Sequence, residues 1–258
     1  MTSARSPEPV EGQARTGHVL ITGGSRGIGA ATARRLARDG RNVVITYAHR
    51  AEDAEQVVAD CRAAGVDAWA YQAELSEPGA VDGLFTRFDE EIGRLDALVN
   101  NAGVVSPQGP VTSYDSDRVR RVMEINVVAA FALATEAARR LAVDHGGSGG
   151  VIVNVSSRAA IRGGAFEYVD YAASKAALDA LTVGLGLELA QQGVRVVGVR
   201  PGVIDTEIHA PGRLERVAPE VPLGRSGTAD EVAAAIAWLI SDEASYVTGS
   251  TLDVGGGR

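Results

Sequence analysis

The chain has 258 residues, a net charge of −8 and 45% apolar content, which suits one large α/β domain or two small ones and suffices to bury about three quarters of the unfolded surface. The acidic balance argues against nucleic acid or an anionic membrane as the main partner. A single cysteine, Cys61, excludes an intramolecular disulfide and a Cys-based metal site, and no apolar run reaches the roughly 18 residues of a membrane span.

Residues 1–16, MTSARSPEPVEGQART, lack an apolar core and carry Pro7, Pro9 and Gly12. They read as a disordered tail rather than a signal peptide, and a soluble cytoplasmic protein is expected. The four histidines are scattered without ligand spacing, so no metal is expected. From residue 17 to 258, β-rich apolar runs alternate with amphipathic segments. The runs predict strands at 18–22, 42–47, 67–72, 95–99, 150–155, 194–199 and 250–253. Helices are predicted at 27–39, 51–64, 77–93, 115–144, 170–191 and 229–241. Strands separated by helices imply parallel pairing with right-handed crossovers. The expected fold is a three-layer, doubly wound Rossmann-type α/β domain around a sheet of about seven strands.

The first strand runs into 22-TGGSRGIG-29, with glycines at 23, 24, 27 and 29. Glycine serves where a turn needs positive φ or where backbone must approach a phosphate, and a following helix N-terminus offers N–H groups to a pyrophosphate. An ordinary Gly-rich turn is the plainer alternative. The second strand ends TYAHR, with no acid before Glu52. A carboxylate there would bind the ribose 2′-hydroxyl of NAD; a basic group would accept the 2′-phosphate of NADP. Arg26 and Arg50, with His49, supply basic groups, so NADP(H) is preferred with NAD(H) as the alternative.

After the fourth strand comes 100-NNAG-103, small residues suited to a loop pressed on a ligand. Asn126 interrupts the apolar run EINVVAAF. A buried amide must be hydrogen-bonded, and either a structural bond or a place in a proton relay meets that need. The fifth strand ends NVSS, which puts the Ser157 hydroxyl at the carboxyl edge of the sheet. Fourteen residues on, Tyr171 and Lys175 stand at i and i+4, one turn apart on a helix face. An ammonium near a phenol favours the phenolate and lowers its pKa, and such a phenol exchanges protons with an alcohol or ketone oxygen. Of 25 basic residues, 24 are arginine and Lys175 is the only lysine. The two cations are not interchangeable, so this lysine reads as chemical. The sixth strand ends RPGVIDTEIH, where Thr206 and the backbone near Ile204 are placed to meet a carboxamide. The segment 210–227, rich in Pro, Gly and charge, reads as a mobile lid.

Taken together, TGGSRGIG, NNAG, Asn126, NVSS, YxxxK and PGxxxT resemble the classical, single-domain branch of the short-chain dehydrogenase/reductase family, in order and over residues 17–257. The sequence around 168–179 is similar to its glucose-dehydrogenase-like and 3-oxoacyl-reductase-like members. The resemblance implies that Tyr171 is the acid/base, that Lys175 binds the nicotinamide ribose and lowers the Tyr pKa, that Ser157 orients the carbonyl, and that Asn126 holds a water relay to Lys175. It implies cofactor contacts from Gly23, Ser25, Arg26, Gly27, Ile28, Gly29, His49, Arg50, Glu74, Leu75, Asn101, Ala102, Gly103, Tyr171, Lys175, Pro201, Gly202, Ile204 and Thr206. It further implies a homotetramer, or a homodimer, acting on a small-molecule carbonyl or alcohol. Two departures stand out: Glu74 replaces the Asp common after the third strand, and the Ser–Tyr spacing is one residue longer than usual. A catalytically silent NAD(P)-binding regulator on the same fold is the alternative to an enzyme, and complete retention of Ser157, Tyr171 and Lys175 argues against it.

Overall fold

The computed structural model describes residues 17–208 and 212–258; the expected tail at 1–16 and the start of the expected lid, 210–211, lie outside them. Seven strands form one parallel sheet: β1 (His18–Ile21), β2 (Asn42–Tyr47), β3 (Ala68–Gln72), β4 (Ala97–Asn100), β5 (Gly150–Val155), β6 (Val194–Pro201) and β9 (Ser250–Val254), in the order β3-β2-β1-β4-β5-β6-β9. A two-residue pair, β7 (Ile204–Asp205) with β8 (Gly227–Thr228), lies apart. The sheet order reverses between β1 and β4, where a ligand crevice opens beyond the strands' carboxyl ends.

Period-two alternation divides the core. Val19, Ile21, Val43, Ile45, Val99 and Val153 face α1 (Gly27–Arg38), α2 (Ala51–Ala63) and α9 (Ala229–Ile240). Leu20, Val44, Leu98 and Ile152 face α3 (Ala80–Glu91) and α5 (Ala129–Leu141). α7 (Val169–Glu188) packs on the α5 side through Leu181 and Leu185. This matches the expected layering.

Three expected helices differ from those found. The helix expected from residue 77 starts at Ala80, because Pro78 and a left-handed Gly79 (φ 78°) precede it. The helix expected over 115–144 is interrupted. Asp115 caps α4 (Ser116–Met123) by accepting from the Arg118 N–H at 2.7 Å; a π turn spans Glu124–Val128; α5 then runs only to Leu141. The helix expected to reach 191 ends at Glu188, and a single 3-10 turn leads into left-handed Gly193. Two segments with no helix assigned from the sequence carry short helices, α6 (Ala159–Arg162) and α8 (Arg213–Val217).

A buried polar chain crosses the sheet. The Asn100 amide donates to the Ala130 carbonyl (2.7 Å) and to Asn154 Oδ1 (3.3 Å), and Asn154 Nδ2 donates to Thr182 Oγ1 (2.9 Å). Asn154 is fully buried. Removing it leaves partners unsatisfied in a dry environment. Asn154→Ala is therefore expected to destabilise the protein by about 2–3 kcal/mol in urea unfolding followed by circular dichroism. A change below about 0.5 kcal/mol would show that the chain contributes nothing to stability.

Candidate active site

The glycine turn is shaped by close approach. A Cβ on Gly24 would stand 2.5 Å from Ile45 Cβ, and one on Gly29 would stand 2.7 Å from the Asn101 amide nitrogen and closer still to the Gly23 carbonyl. No side chain caps α1, whose first turn has no acid, so its N–H groups face the crevice with the positive end of the helix dipole. Buried Thr22 clasps the turn to the loop after β4. Its Oγ1 accepts from the N–H groups of Asn101 (3.1 Å) and Ala102 (3.0 Å). Asn101 Nδ2 donates to the carbonyls of Thr22 (2.8 Å) and Gly23 (3.1 Å), so this side chain holds the turn.

Two expected contact residues are otherwise engaged. His49 Nε2 lies 3.3 Å from Glu74, and Glu74 also accepts from the Ser76 hydroxyl at 2.8 Å. The histidine that was to help hold a phosphate and the Glu74 that replaces the family's Asp thus face each other. Leu75 is buried in the core cluster on the α3 and α5 side. Arg26 and Arg50 do converge: each places Nη1 on the same oxygen of Glu207, at 3.3 and 2.9 Å.

The start of α7 is pinned from the α4 side. Arg118 Nε pairs with buried Asp170 at 2.8 Å, and its guanidinium stacks 3.6 Å over the Tyr114 ring. Asp170 accepts from the Tyr171 N–H at 2.9 Å, and the Tyr114 hydroxyl accepts from the Val169 N–H at 3.1 Å. One turn on, Lys175 is 3% exposed and donates to the Val155 carbonyl at 2.8 Å. Its Nζ lies 5.7 Å from the centre of the Tyr171 ring. Ser156 hydrogen-bonds the Lys175 carbonyl, and Ser157 Oγ accepts from the Ala159 N–H. Gly103 stands where a Cβ would be 3.3 Å from Lys175 Nζ and 3.2 Å from Asn126 Oδ1. The π turn delivers Asn126 here, fully buried, with Oδ1 accepting from the Val104 N–H and Nδ2 donating to the Val104 carbonyl and to Ser174 Oγ. These bonds satisfy the buried amide.

Ser157, Tyr171 and Lys175 line a cavity of about 870 Å³ together with Ile28, Asn101, Gly103, Pro201, Gly202, Ile204 and Thr206. Sequence reasoning missed its other polar wall. Arg213 on α8 is buried and pairs with Glu167 (2.6 Å) and the Tyr168 hydroxyl, while the Tyr168 ring meets Tyr171 edge-on at 5.5 Å. No local pattern announces contacts made across 46 residues. Phe166, at the rim, takes φ 61°, a left-handed backbone unusual for a bulky residue.

The electrostatics differ from expectation. Burial raises the Tyr171 pKa above its ordinary value, and the neighbouring Ser157 hydroxyl and the Arg213 guanidinium offset this only in part. Burial also disfavours the Lys175 ammonium, bringing the lysine down to about 8 against the opposing pull of Asp179. Among the described residues, no group of three or more His, Cys, Asp or Glu is placed to hold a metal.

A glycine turn at the switch point of a doubly wound sheet, beside a Ser–Tyr–Lys set, defines a Rossmann-type oxidoreductase. A family model described as enoyl-(acyl carrier protein) reductase matches residues 23–258, and the chain belongs to the short-chain dehydrogenase/reductase family. It is 50% identical to the uncharacterized oxidoreductase YgfF of Escherichia coli K12 over 93% of this chain and 98% of that protein. It is 41% identical to 3beta-hydroxysteroid dehydrogenase 1 of Eggerthella lenta over 93% and 92% of the two chains. A short-chain dehydrogenase of Burkholderia cenocepacia J2315, solved in complex with NADP, superposes with a TM-score of 0.86 at 39% identity, covering 94% and 97% of the two chains.

Lys175 is the only lysine, so lysine labelled with carbon-13 at Cε gives one side-chain signal in the ligand-free protein. Its titration midpoint is expected near pH 8, with the charged form lost as pH rises through it. The unfolded chain keeps this proton to about pH 10.4, so between those values this group's contribution to stability grows with pH. A midpoint at or above about 10 would show that the ammonium is solvated rather than buried.

Proposed function

We propose that this protein is an NADP(H)-dependent oxidoreductase that interconverts a carbonyl and a secondary alcohol, with Tyr171 as the proton donor and acceptor and residues 17–258 as one cofactor-binding and catalytic domain. The observation that carries this reading is the meeting of Ser157, Tyr171 and Lys175 in the cavity that adjoins the glycine turn. The cradle fits a dinucleotide: the turn at Gly24 and Gly29 has no room for a Cβ, and the α1 N-terminus is uncapped. The 2′-phosphate is supported by two arginines already gathered on one anionic oxygen, with no acid at the end of β2. The relative solved with NADP agrees. When bound, the cofactor supplies the hydride.

The chain's own residues do the rest. With its pKa raised by burial, Tyr171 is a phenol at neutral pH, the form that donates a proton to a carbonyl oxygen during reduction. Ser157, at the same wall, donates a hydrogen bond to that oxygen and fixes its direction. Lys175 holds ribose hydroxyls with its movable N–H donors. Asn126 positions the Val104 loop and Ser174, and Ser174 in turn bonds the Tyr171 carbonyl at 2.7 Å. Arg213, Glu167 and Tyr168 present the substrate with a polar wall. A cytoplasmic setting belongs to this reading, with the buried, free Cys61 suited to a reducing compartment.

The test is NADPH oxidation followed at 340 nm across a panel of ketones and aldehydes. Tyr171→Phe is expected to lower kcat about 10²–10⁴-fold with the NADPH dissociation constant little changed, and Lys175→Arg should not restore activity lost in Lys175→Ala. Reduction needs the phenol and should decline as pH rises toward the Tyr171 pKa; oxidation needs the phenolate and should increase over the same range. Near-normal turnover in Tyr171→Phe would place the chemistry on other residues.

Assembly as a homotetramer is part of the same proposal. Phe131 on α5 and Val183 and Leu187 on α7 are exposed apolar side chains, and covering them by a second copy removes apolar surface from water. Light scattering at micromolar concentration should return about four times the 26.7 kDa chain mass. A mass of one chain would refute the assembly.

A further inference from the structure

Glu207 is an acid at a place where the proposed cofactor brings another. Its Oε2 lies 3.3 Å from Arg26 Nη1 and 2.9 Å from Arg50 Nη1, so one carboxylate oxygen is shared by two guanidinium groups that come from the glycine turn and from the N-cap of α2. Arg50 has a second acid, Asp53, at 3.1 Å; Arg26 makes no other ion pair among the described residues. The segment carrying Glu207 lies across the mouth of the turn: a Cβ on Gly27 would stand 3.5 Å from Thr206 Cγ2, and Ile204, Thr206 and Ile208 line the cavity. Without an anion between them, the two guanidinium groups would repel; Glu207 supplies that anion from within the chain.

We infer that Glu207 is a specificity-determining residue that competes with the cofactor's 2′-phosphate for Arg26 and Arg50, weakening NADP(H) while leaving NAD(H) nearly unaffected. This rests on the cofactor assignment proposed above. A phosphate monoester carries more charge than a carboxylate and three acceptor oxygens, so it can engage both guanidinium groups and displace the side chain. To enter, it must break two charge-assisted bonds and stand beside a displaced carboxylate. A cofactor with a plain 2′-hydroxyl leaves the Glu207 contacts in place. All three side chains are about half exposed, so each bond is of the screened, modest kind, and the effect is correspondingly small and salt-dependent.

The experiment compares the full-length wild type with Glu207→Gln, which keeps the shape and removes the charge. Calorimetry measures binding of adenosine 2′,5′-bisphosphate, 5′-AMP, NADPH and NADH at 50 mM and 500 mM sodium chloride. Glu207→Gln is expected to tighten the two 2′-phosphorylated ligands about 5-fold at low salt, to shift the other two by less than about twofold, and to lose most of the difference at high salt. Glu207→Lys should widen the gap further. Unchanged or weaker binding of the 2′-phosphorylated ligands in Glu207→Gln, or an equal shift of all four, would overturn the inference while leaving the cofactor assignment intact. If the wild type binds 5′-AMP and NADH but neither 2′-phosphorylated ligand, it is the NADP assignment that fails, and the inference falls with it.

Discussion

The ligand-facing edge of this molecule depends on one clasp between the ends of β1 and β4. Parallel ladders stop at the strand ends, and the sheet order reverses between these two strands, so nothing in the ladder itself holds the loops beyond them together. Thr22 and Asn101 do so, with Oγ1 accepting two backbone N–H groups and the amide donating to two carbonyls. Net contributions of about 1 kcal/mol per bond make the clasp a few kcal/mol in all. It fixes the glycine turn against the loop that leads, through Gly103 and Val104, to Asn126 and Lys175. The glycine turn and the cavity wall at Lys175 are thereby parts of one hydrogen-bonded body.

Much of this was legible in the chain. β-Branched runs such as VVIT and VIVNV can be buried on both faces only in a covered parallel sheet, and they located the strands to within two residues. The glycines announced the turn because no other residue tolerates those approaches. The i, i+4 spacing put Tyr171 and Lys175 on one face, as found. What stayed hidden was set by tertiary surroundings. The residues EINVV suit an ordinary helix, and only the amide of Asn126 hinted at the π turn. The direction of the Tyr171 and Lys175 pKa shifts depends on how deeply α7 sinks against β5, which a helical wheel does not contain. Glu207 meets Arg26 across 181 residues, and Arg213 meets Tyr168 across 45; neither pairing leaves a local trace.

Behind the reacting groups, charge is organised as a chain of alternating sign. Asp179, one turn beyond Lys175, pairs with Arg200 at 2.8 Å; Arg200 reaches Asp253 at 3.3 Å; Asp253 pairs with Arg158, the residue after Ser157. Arg158 Nε also donates to the carbonyl of Arg258, the last residue. The series ties β6, β9 and the chain's end to the serine loop. Both cations here are arginines, and the fork of Arg200 serves two acids at once.

The π turn at 124–128 carries one residue more than an α-helical path through the same space would need. Removing a residue from a regular helix rotates everything downstream by about 100° and would turn Leu133, Ala137 and Leu141 off the sheet. Here the surplus residue is already absorbed in a widened turn, so losing it would let α4 and α5 join as one straight helix with both apolar faces still directed inward. What would vanish is the reach of Asn126 to Val104 and Ser174. At this one point the packing of the two helices and the placing of a buried amide are separable, and the difference between them is a single peptide unit.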